Sequence, residues 1–279
     1  MRGLWGVRPG WLDRAIISAT SRLPDNRLGL RLAIWLRRLT TMRLPGDSGL
    51  DVERFGFKIR LHPRRNGCEK GLLFTPQIYE ARELAALAAQ IDKARSAARP
   101  FVFVDIGANV GLFSLFVASR IGRDGIILAI EPEPENIRRL RFNVAANPEV
   151  PIRVIAAALG EHAGTVMLDV DPRDRGGTRT QFLPAGARPS DRPCAECRTL
   201  LQVLVQEQVD VIDALKIDAE GAESSILSPF FRDAPRSLWP QFIVIESGDE
   251  LRGIAPYSML MDLGYAVTAR SKQNLMMCR

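Results

Sequence analysis

The stretch Phe101–Gly111, FVFVDIGANVG, joins a short apolar run to a glycine-rich turn. Phe101–Asp105 is almost unbroken in its apolar character, as expected for a strand of a parallel sheet that is buried on both faces. A helical pattern over Val110–Ile121 follows the turn. This order of strand, tight turn and helix is typical of the ligand-binding edge of an α/β sheet.

The same alternation of strand and helix patterns continues to the end of the chain. It predicts an α/β fold with a mostly parallel sheet and helices on both faces. The expected strands after Phe101–Asp105 are Ile126–Ile130, Ile152–Ile155, Thr165–Val170, Ala214–Ile217, Phe242–Ile245, Tyr265–Thr268 and Leu275–Cys278.

The chain before this region has a different pattern. Residues 1–45 are helical in pattern with breaks at prolines, and residues 50–75 alternate in a way that predicts a strand hairpin. We therefore divide the chain into an N-terminal extension of residues 1–75 and a domain of residues 76–279.

Two local features lead to further expectations. Thr75-Pro76 has the composition of a helix start, with Thr75 as N-cap and Pro76 in the first turn, and predicts a helix that runs to Ala98. Residues 171–196 are rich in Gly, Pro, Arg and Asp and predict a long loop, a feature that is usually functional or mobile.

The charge distribution separates the extension from the rest of the chain. Hydrophobic residues make up 46% and charged residues 25%, which is ordinary for a soluble globular protein. The net charge of +6 divides into +6 over residues 1–50, +4 over 51–100 and −4 over 101–279. The basic part indicates an acceptor, a membrane surface or another partner. No nucleic acid is expected, because the aromatic residues there are spaced for packing rather than for base stacking.

One basic segment, Arg27–Arg43, has an apolar stripe at helical spacing. Two interpretations remain open. The commoner one is a helix that packs its stripe on the protein body and leaves its arginines in solvent. The other is an amphipathic helix that makes peripheral contact with a membrane. The stripe consists of Leu28, Leu32, Trp35, Leu36 and Leu39.

The glycine-rich turn indicates a particular ligand. Gly107 permits a tight turn and close approach of a ligand, and Gly111 permits close packing of the following helix. The dinucleotide fingerprint GxGxxG is missing, because Asn109 stands at its second glycine. Asp105 at the strand end can hold an ammonium group, which suits the amino-acid end of S-adenosylmethionine better than a pyrophosphate.

The next two strands support an adenosine site. Glu131 ends the second strand, where a carboxylate can accept both ribose hydroxyls of an adenosine. Ala157 follows the third strand among other small residues, which would leave a flat slot for an adenine but would also suit packing of a helix on the sheet.

Three carboxylates and a lysine crowd the end of the strand Ala214–Ile217. Asp218 and Glu220 are candidates for a general base, since like charges at close range raise the pKa of at least one of them. The carboxylates of this cluster could instead bind a divalent cation through their oxygens. Glu223 could equally favour the start of a helix. Lys216 could pair with one of these carboxylates or contact a substrate.

The cysteines and histidines indicate no metal site. Cys194 and Cys197 form a CxxC pair without the second ligand pair that a zinc site needs. His62 is a weaker candidate base in the expected hairpin. No signal peptide and no membrane-spanning stretch is recognised, so a cytoplasmic location is expected.

With these clusters in view, the sequence resembles the FkbM family of S-adenosylmethionine-dependent methyltransferases. The resemblance covers roughly residues 75–250 and includes the helix entry Tyr79-Glu80. The matching stretches are FVDIGANVGLFS (Phe103–Ser114), IEPEPENIRRLRFNVAAN (Ile130–Asn147), AALG (Ala157–Gly160) and LKIDAEGAE (Leu215–Glu223).

The resemblance implies a Rossmann-like class I methyltransferase fold with a seven-stranded sheet. It also implies S-adenosylmethionine as cofactor and O-methylation of a hydroxyl on a sugar, glycan or natural product. It places Glu80 near the substrate or cofactor. The implied site residues are Asp105, Gly107, Asn109 and Gly111 at the methionine part, Glu131 at the ribose, and Asp218 and Glu220 beside the transferred methyl.

Two other function classes remain open. One is a nicotinamide-dependent oxidoreductase on a Rossmann sheet, which the incomplete glycine fingerprint disfavours. The other is a non-catalytic binding protein that keeps a methyltransferase fold, which the intact cofactor-binding pattern disfavours. The sequence leaves the acceptor and the oligomeric state open.

Overall fold

The computed structural model of the chain describes residues 9–44, 49–64, 66–171, 174–182, 192–247 and 256–279. Helices and strands alternate through the second part of the chain, as the sequence predicts. The strands are β1 (Leu50–Arg54), β2 (Phe57–Leu61), β3 (Phe101–Ile106), β4 (Gly125–Glu131), β5 (Ile152–Ala156), β6 (Ala158–Leu159), β7 (Gly164–Asp171), β8 (Asp174–Phe182), β9 (Cys194–Arg198), β10 (Ala214–Ile217), β11 (Phe242–Glu246), β12 (Ala266–Arg270) and β13 (Asn274–Cys278).

The helices occur in the extension, in the crossovers between parallel strands and before the final strand pair. A short 3₁₀ turn, Arg236–Leu238, precedes β11. The α-helices are α1 (Trp11–Thr20), α2 (Arg27–Arg43), α3 (Gly67–Phe74), α4 (Ala81–Ser96), α5 (Leu112–Ile121), α6 (Pro134–Ala145), α7 (Leu200–Gln206), α8 (Glu223–Asp233) and α9 (Tyr257–Asp262).

The central sheet has seven strands in the order β12-β13-β11-β10-β3-β4-β5. The run from β11 to β5 is parallel, and β13 is antiparallel to both of its neighbours. This confirms the predicted α/β fold. Because β3 and β10 are adjacent, with Asp105 beside Lys216 in register, the turns that follow these two strands meet at one edge of the sheet.

Both faces of the sheet are covered, which explains the unbroken apolar run of β3. Phe101 and Phe103 belong to a core shared with α4, α5 and α6. Val102 and Val104 point the other way, into a core shared with α7, α8 and α9. Successive residues of a strand face opposite sides, so a strand covered twice needs apolar residues at every position.

The hairpin β1–β2 lies against α6 through backbone-to-amide hydrogen bonds. The N–H groups of Lys58 and Arg60 donate to the side chains of Asn147 and Asn143 at 3.0 and 2.8 Å. Apolar residues of the extension belong to the same core as α4 and α5. The domain boundary between residues 75 and 76 stays a prediction.

The expected helix start at Thr75-Pro76 is wrong. Thr75 ends α3, and its N–H donates to the carbonyl of Gly71 at 2.9 Å. Helix α4 begins only at Ala81. Thr75 and Pro76 thus lie in the link between α3 and α4. The sequence pattern predicts a hairpin over residues 50–75 and does not predict α3.

The expected long loop over residues 171–196 is also wrong in part. β8 pairs antiparallel with β7, and β9 pairs with β7 and β6, so a second sheet of four strands covers most of the described part of this region. β8 is a strand because β7 pairs with it. Its glycine-rich and arginine-rich composition alone does not indicate a strand. Residues 172–173 and 183–191 lie outside the described residues.

Four of the five residues of the α2 stripe do not pack on the protein body, whereas Leu36 is partly buried against the core. Helix α2 is buried at Gly29, Ala33 and Thr40, and most of the stripe faces solvent. Gly29 lies against the turn before the helix, where a Cβ would stand 2.2 Å from the carbonyl oxygen of Pro24. Ala33 and Thr40 are the other buried positions, and the large residues on other sides of the helix stay exposed. The commoner interpretation of the stripe is therefore wrong for four of its five residues, although most of the arginines are exposed as it expects.

Among the residues that the structure describes, every helix is too short or too polar to cross a bilayer.

A buried ion pair connects the extension to the sheet domain. The guanidinium of Arg139 on α6 contacts the carboxylate of Glu69 on α3, and their side chains are 1% and 0% exposed. Glu69 also accepts a hydrogen bond from the backbone N–H of His62. The pair therefore fixes α3 and the end of the hairpin against α6.

We expect Arg139→Leu to lower the free energy of unfolding by about 3–5 kcal/mol, because it leaves the Glu69 carboxylate buried without its charged partner. Arg138→Leu is the matched control. Arg138 is 66% exposed and pairs with Glu135, so its loss should cost at most about 1 kcal/mol. Urea unfolding of both variants measures the difference, and equal losses would contradict this role of the pair.

Candidate active site

A cavity of about 420 Å³ lies at the carboxyl ends of β3, β4 and β10. Its size is within the range of small-molecule sites. Strand β8 contributes to its wall through Gly176, Gly177 and Thr178. The residues predicted from the sequence that line it are Glu80, Gly107, Asn109, Glu131, Ala157, Lys216, Asp218 and Glu220.

Gly107 forms the tightest point of the turn after β3. Its φ is +71°, and a Cβ at this position would stand 2.0 Å from the carbonyl oxygen of Asp218. Its N–H donates to the carbonyl of Ile130 at 3.0 Å. Only glycine allows the turns after β3 and β10 to approach this closely.

Lys216 connects the same two turns. Its ammonium donates to the carbonyl of Gly107 at 2.9 Å, and it lies 3.3 Å from the Asp218 carboxylate and 4.0 Å from that of Asp105. Burial alone lowers the pKa of Lys216, but Asp218 and Asp105 outweigh burial and raise it above its ordinary value. Lys216 therefore stays charged and pairs with carboxylates, the first of its two expected roles.

Asp105 lies behind the cavity wall. It is fully buried, and its carboxylate accepts hydrogen bonds from the backbone N–H and the hydroxyl of Ser114 at 3.1 and 2.6 Å. Burial raises its pKa, against the opposing effects of Lys216 and Ser114. Asp105 is not among the residues that line the cavity. Its Oδ2 bonds to the first turn of α5, while its Oδ1 is buried without a hydrogen-bond partner among the described residues and lies 4.0 Å from the ammonium of Lys216.

Three other candidates also lie outside the lining. A Cβ on Gly111 would stand 2.7 Å from Leu140, so this glycine permits the packing of α5 on α6. Glu223 is buried at the start of α8 and accepts from the N–H of Ala219 at 2.7 Å, which closes the turn. His62 is buried at the end of the hairpin.

Glu131 has the surroundings of a ribose ligand. Its two carboxylate oxygens accept from the backbone N–H groups of Asn109 and Glu133 at 2.8 and 3.0 Å. Oε1 also accepts a long hydrogen bond from the side-chain amide of Asn136 at 3.4 Å, whereas Oε2 keeps a further lone pair for a hydroxyl donor. Burial raises the pKa of Glu131 to about 7. Ala157, Ala158 and Leu159 line the wall beyond it, so the residues present fit an adenosine.

Two carboxylates with raised pKa values face the cavity. Burial, followed by the charges of Asp218 and Glu246, raises the pKa of Glu220 to about 7. Burial and the charge of Glu83 raise the pKa of Glu80 to about 7 as well. A carboxylate with a pKa near neutrality is suited to accept a proton.

The backbone around the cavity is strained. Glu80, Asn109 and Glu220 all have positive φ, of 54°, 53° and 53°. Such conformations cost roughly 1–2 kcal/mol for a residue with a side chain and concentrate at functional sites. Asn109 is held there in part by Asn66, whose amide donates to it at 2.7 Å.

Several lining residues were missed by sequence reasoning. Cys68 and Tyr79 come from α3 and the link after it, and burial raises the pKa of the Cys68 thiol to about 12. Tyr79 could have been found from the sequence, because it belongs to the helix entry Tyr79-Glu80 that resembles the FkbM family. The others lie on elements whose proximity only the fold reveals. These are Asp174, Gly176, Gly177, Thr178, Thr180, Glu246, Gln273 and Asn274.

The described residues include no cluster of three His, Cys, Asp or Glu side chains that could hold a metal ion. Cys194 and Cys197 both belong to β9, and Cys197 packs in the small core of the second sheet with Val166 and Leu168.

A comparison with known families identifies the chain. The profile described as Methyltransferase FkbM domain matches residues 105–257. The chain belongs to the FkbM methyltransferase family. The match begins at the β3 turn and includes the β10 turn, the two segments that Lys216 joins. This confirms the resemblance seen in the sequence, and methyltransferase activity is the activity of this family.

One curated relative and two solved structures are similar to this chain. Methyltransferase sdnD of Sordaria araneosa is 28% identical over 208 residues, which cover 63% of this chain and 78% of the relative. The METTL16 methyltransferase domain is 12% identical with a TM-score of 0.50, covering 96% of this chain and 89% of that one. TYW2 of M. jannaschii, solved with AdoMet, is 12% identical with a TM-score of 0.43, covering 84% and 87%.

We expect Gly107→Ala to abolish cofactor binding and to destabilise the protein, because its Cβ would collide with the carbonyl of Asp218. Gly221→Ala is the matched control. Gly221 also has positive φ, +100°, but a Cβ there meets nothing within 4 Å, so only the backbone strain of about 1–2 kcal/mol applies. Thermal unfolding and calorimetric titration compare them, and a Gly107→Ala variant that binds cofactor normally would contradict the close approach.

Proposed function

We propose that this protein transfers the methyl group of S-adenosylmethionine to a hydroxyl of a sugar, glycan or natural product. One observation carries the proposal: Glu220, with a pKa of about 7, lines the same cavity as the ribose-type ligand Glu131. Glu220 supplies a base, and Glu131 supplies a site for the adenosine. A non-catalytic binding protein has no use for the base, and the missing glycine at position 109 disfavours a nicotinamide-dependent oxidoreductase.

The cofactor contacts follow from the lining. Glu131 accepts the ribose hydroxyls, and the small side chain of Ala157 leaves room for the base. Gly107 and Asn109 present backbone to the methionine part, while Asp218 supplies negative charge near it. The cofactor, when bound, supplies a methyl group on a sulfonium, which an oxygen nucleophile can take without further activation of the leaving group.

The chain's own contribution is orientation and proton removal. Positioning the acceptor hydroxyl accounts for much of the rate in such a displacement. Glu220 takes the hydroxyl proton as the new bond forms. Asp218 is less suited to this step, because its carboxylate pairs with the buried ammonium of Lys216 at 3.3 Å. Glu80 accepts a hydrogen bond from Asn274 at 2.9 Å and can hold a second hydroxyl of the acceptor.

The charge of the cavity favours an uncharged acceptor. The carboxylates of Glu80, Asp218, Glu220 and Glu246 are all among the lining residues. A phosphorylated or carboxylated acceptor would meet repulsion from these groups, whereas the hydroxyls of a neutral sugar or polyketide would find acceptors. This supports a small-molecule or glycan acceptor. A cytoplasmic location remains part of the proposal.

Calorimetric titration with S-adenosylhomocysteine and with NAD tests the cofactor. We expect S-adenosylhomocysteine to bind and NAD not to bind. Glu131→Ala should weaken the binding at least tenfold, since the ribose hydroxyls lose their charged acceptor. Asp169→Ala, at a 70% exposed carboxylate on the second sheet, is the control. Binding of NAD alone would support the oxidoreductase instead.

The pH dependence of methyl transfer tests the base. Glu220 is active only when deprotonated, so a pKa of about 7 predicts that kcat rises between about pH 6 and pH 8. Glu220→Gln should lower kcat by about 10²–10⁴ and remove this rise, with little change in the affinity for S-adenosylhomocysteine.

Glu80→Gln is the comparison variant, because Glu80 has the same raised pKa. We expect it to raise KM for the acceptor and to keep the pH profile. If Glu80→Gln loses the pH dependence while Glu220→Gln keeps it, the base is Glu80 and our assignment is wrong.

A further inference from the structure

Helix α2 presents an apolar face to solvent. Leu28 and Met42 are each 77% exposed and Trp35 is 58% exposed. Leu32 and Leu39 lie between them on the same side of the helix. Leu28, Leu32, Trp35, Leu39 and Met42 follow the spacing i, i+4, i+7, i+11 and i+14, which forms one continuous face on an α-helix. This exposed stripe includes Met42 and leaves out Leu36 of the stripe named from the sequence. The helix has 17 residues, so the stripe is about 20–25 Å long.

This face is concentrated on one element. Of the 12 large hydrophobic residues that are exposed among the described residues, seven belong to α2. Soluble proteins rarely leave large apolar residues in one continuous patch, and such a patch usually marks a binding surface. The helix is held to the body by its opposite side, through Gly29, Ala33 and Thr40. The apolar residues are therefore not needed for its packing.

The charges beside the face indicate its partner. Helix α2 contains five arginines and no acidic residue. Arg27, Arg31 and Arg38 lie along one border of the stripe, and Arg43 lies at its other border. All four are exposed. An apolar face bordered by arginines is the pattern of a helix that lies in the interface of a membrane with anionic lipids.

We propose that α2 binds the surface of a bilayer that contains anionic lipids, with Leu28, Trp35 and Met42 inserted among the acyl chains. The arginines would contact the lipid headgroups. A second copy of the chain is a poorer occupant, because a symmetric contact brings the same helix to both sides and sets its arginines against each other. The proposal does not depend on the reaction that the cavity performs.

Flotation of the full chain with vesicles tests the proposal. We expect binding to an equal mixture of phosphatidylcholine and phosphatidylglycerol, weaker binding to phosphatidylcholine alone, and a further loss at high salt, because the lipid charge is then screened. Leu28→Gln/Trp35→Gln should lower the partition coefficient at least tenfold. Arg31→Glu/Arg38→Glu should remove the preference for phosphatidylglycerol, since each arginine near such a surface contributes about fivefold.

The control is Val205→Gln/Met261→Gln, which removes two apolar residues exposed on other helices at 68% and 56%. It should bind vesicles like the natural chain. Circular dichroism and thermal unfolding check that every variant folds, which we expect because all the changed positions are exposed.

Three results would overturn the proposal. The first is no binding to either vesicle. The second is binding that the α2 variants retain. The third is a dimer in analytical ultracentrifugation that Leu28→Gln/Trp35→Gln converts to a monomer without any loss of vesicle binding, since the face would then be covered by a second copy.

Discussion

The buried ammonium of Lys216 is the interaction on which the site depends. It joins the carbonyl of Gly107, at the end of β3, to the carboxylate of Asp218, at the end of β10. Asp105 lies behind it and balances its charge. Two strands that are distant in the sequence thus have their terminal turns fixed together by one side chain. The cavity wall is built on these turns, so the positions of Asn109 and Glu220 follow from this contact.

The parts that sequence analysis predicted well are those set by local rules. β3 needs apolar residues on both faces, and its composition shows this directly. The turn after it needs a glycine at Gly107, because its φ is positive and the backbone of Asp218 is close. The sequence also predicts that Glu131 and Glu220 lie near each other, because the carboxyl ends of parallel strands meet at one edge of a sheet.

The parts that it missed depend on contacts between distant segments. β8 is a strand because β7 lies beside it and because Asp174 accepts from the N–H of Gly67 at 3.0 Å. Neither partner can be recognised from a run of Gly, Arg and Thr. Asp105 and Glu223 show that a sequence does not reveal whether a carboxylate contacts a ligand or the protein itself. Carboxylates at strand ends resemble ligand contacts in a sequence, yet here the carboxylate of Glu223 and one oxygen of Asp105 bond to the protein itself, and the role of Asp105 at the cofactor stays a prediction.

The packing of α2 through Gly29, Ala33 and Thr40 has a consequence for how this chain can change. The exposed side chains of α2 take no part in this packing, so the packing makes no demand on their shape. Substitutions at Leu28, Trp35 or Met42 therefore leave the fold intact. Single substitutions can therefore change the outer surface of α2 without changing the cavity, so the membrane contact and the reaction that we propose can evolve separately.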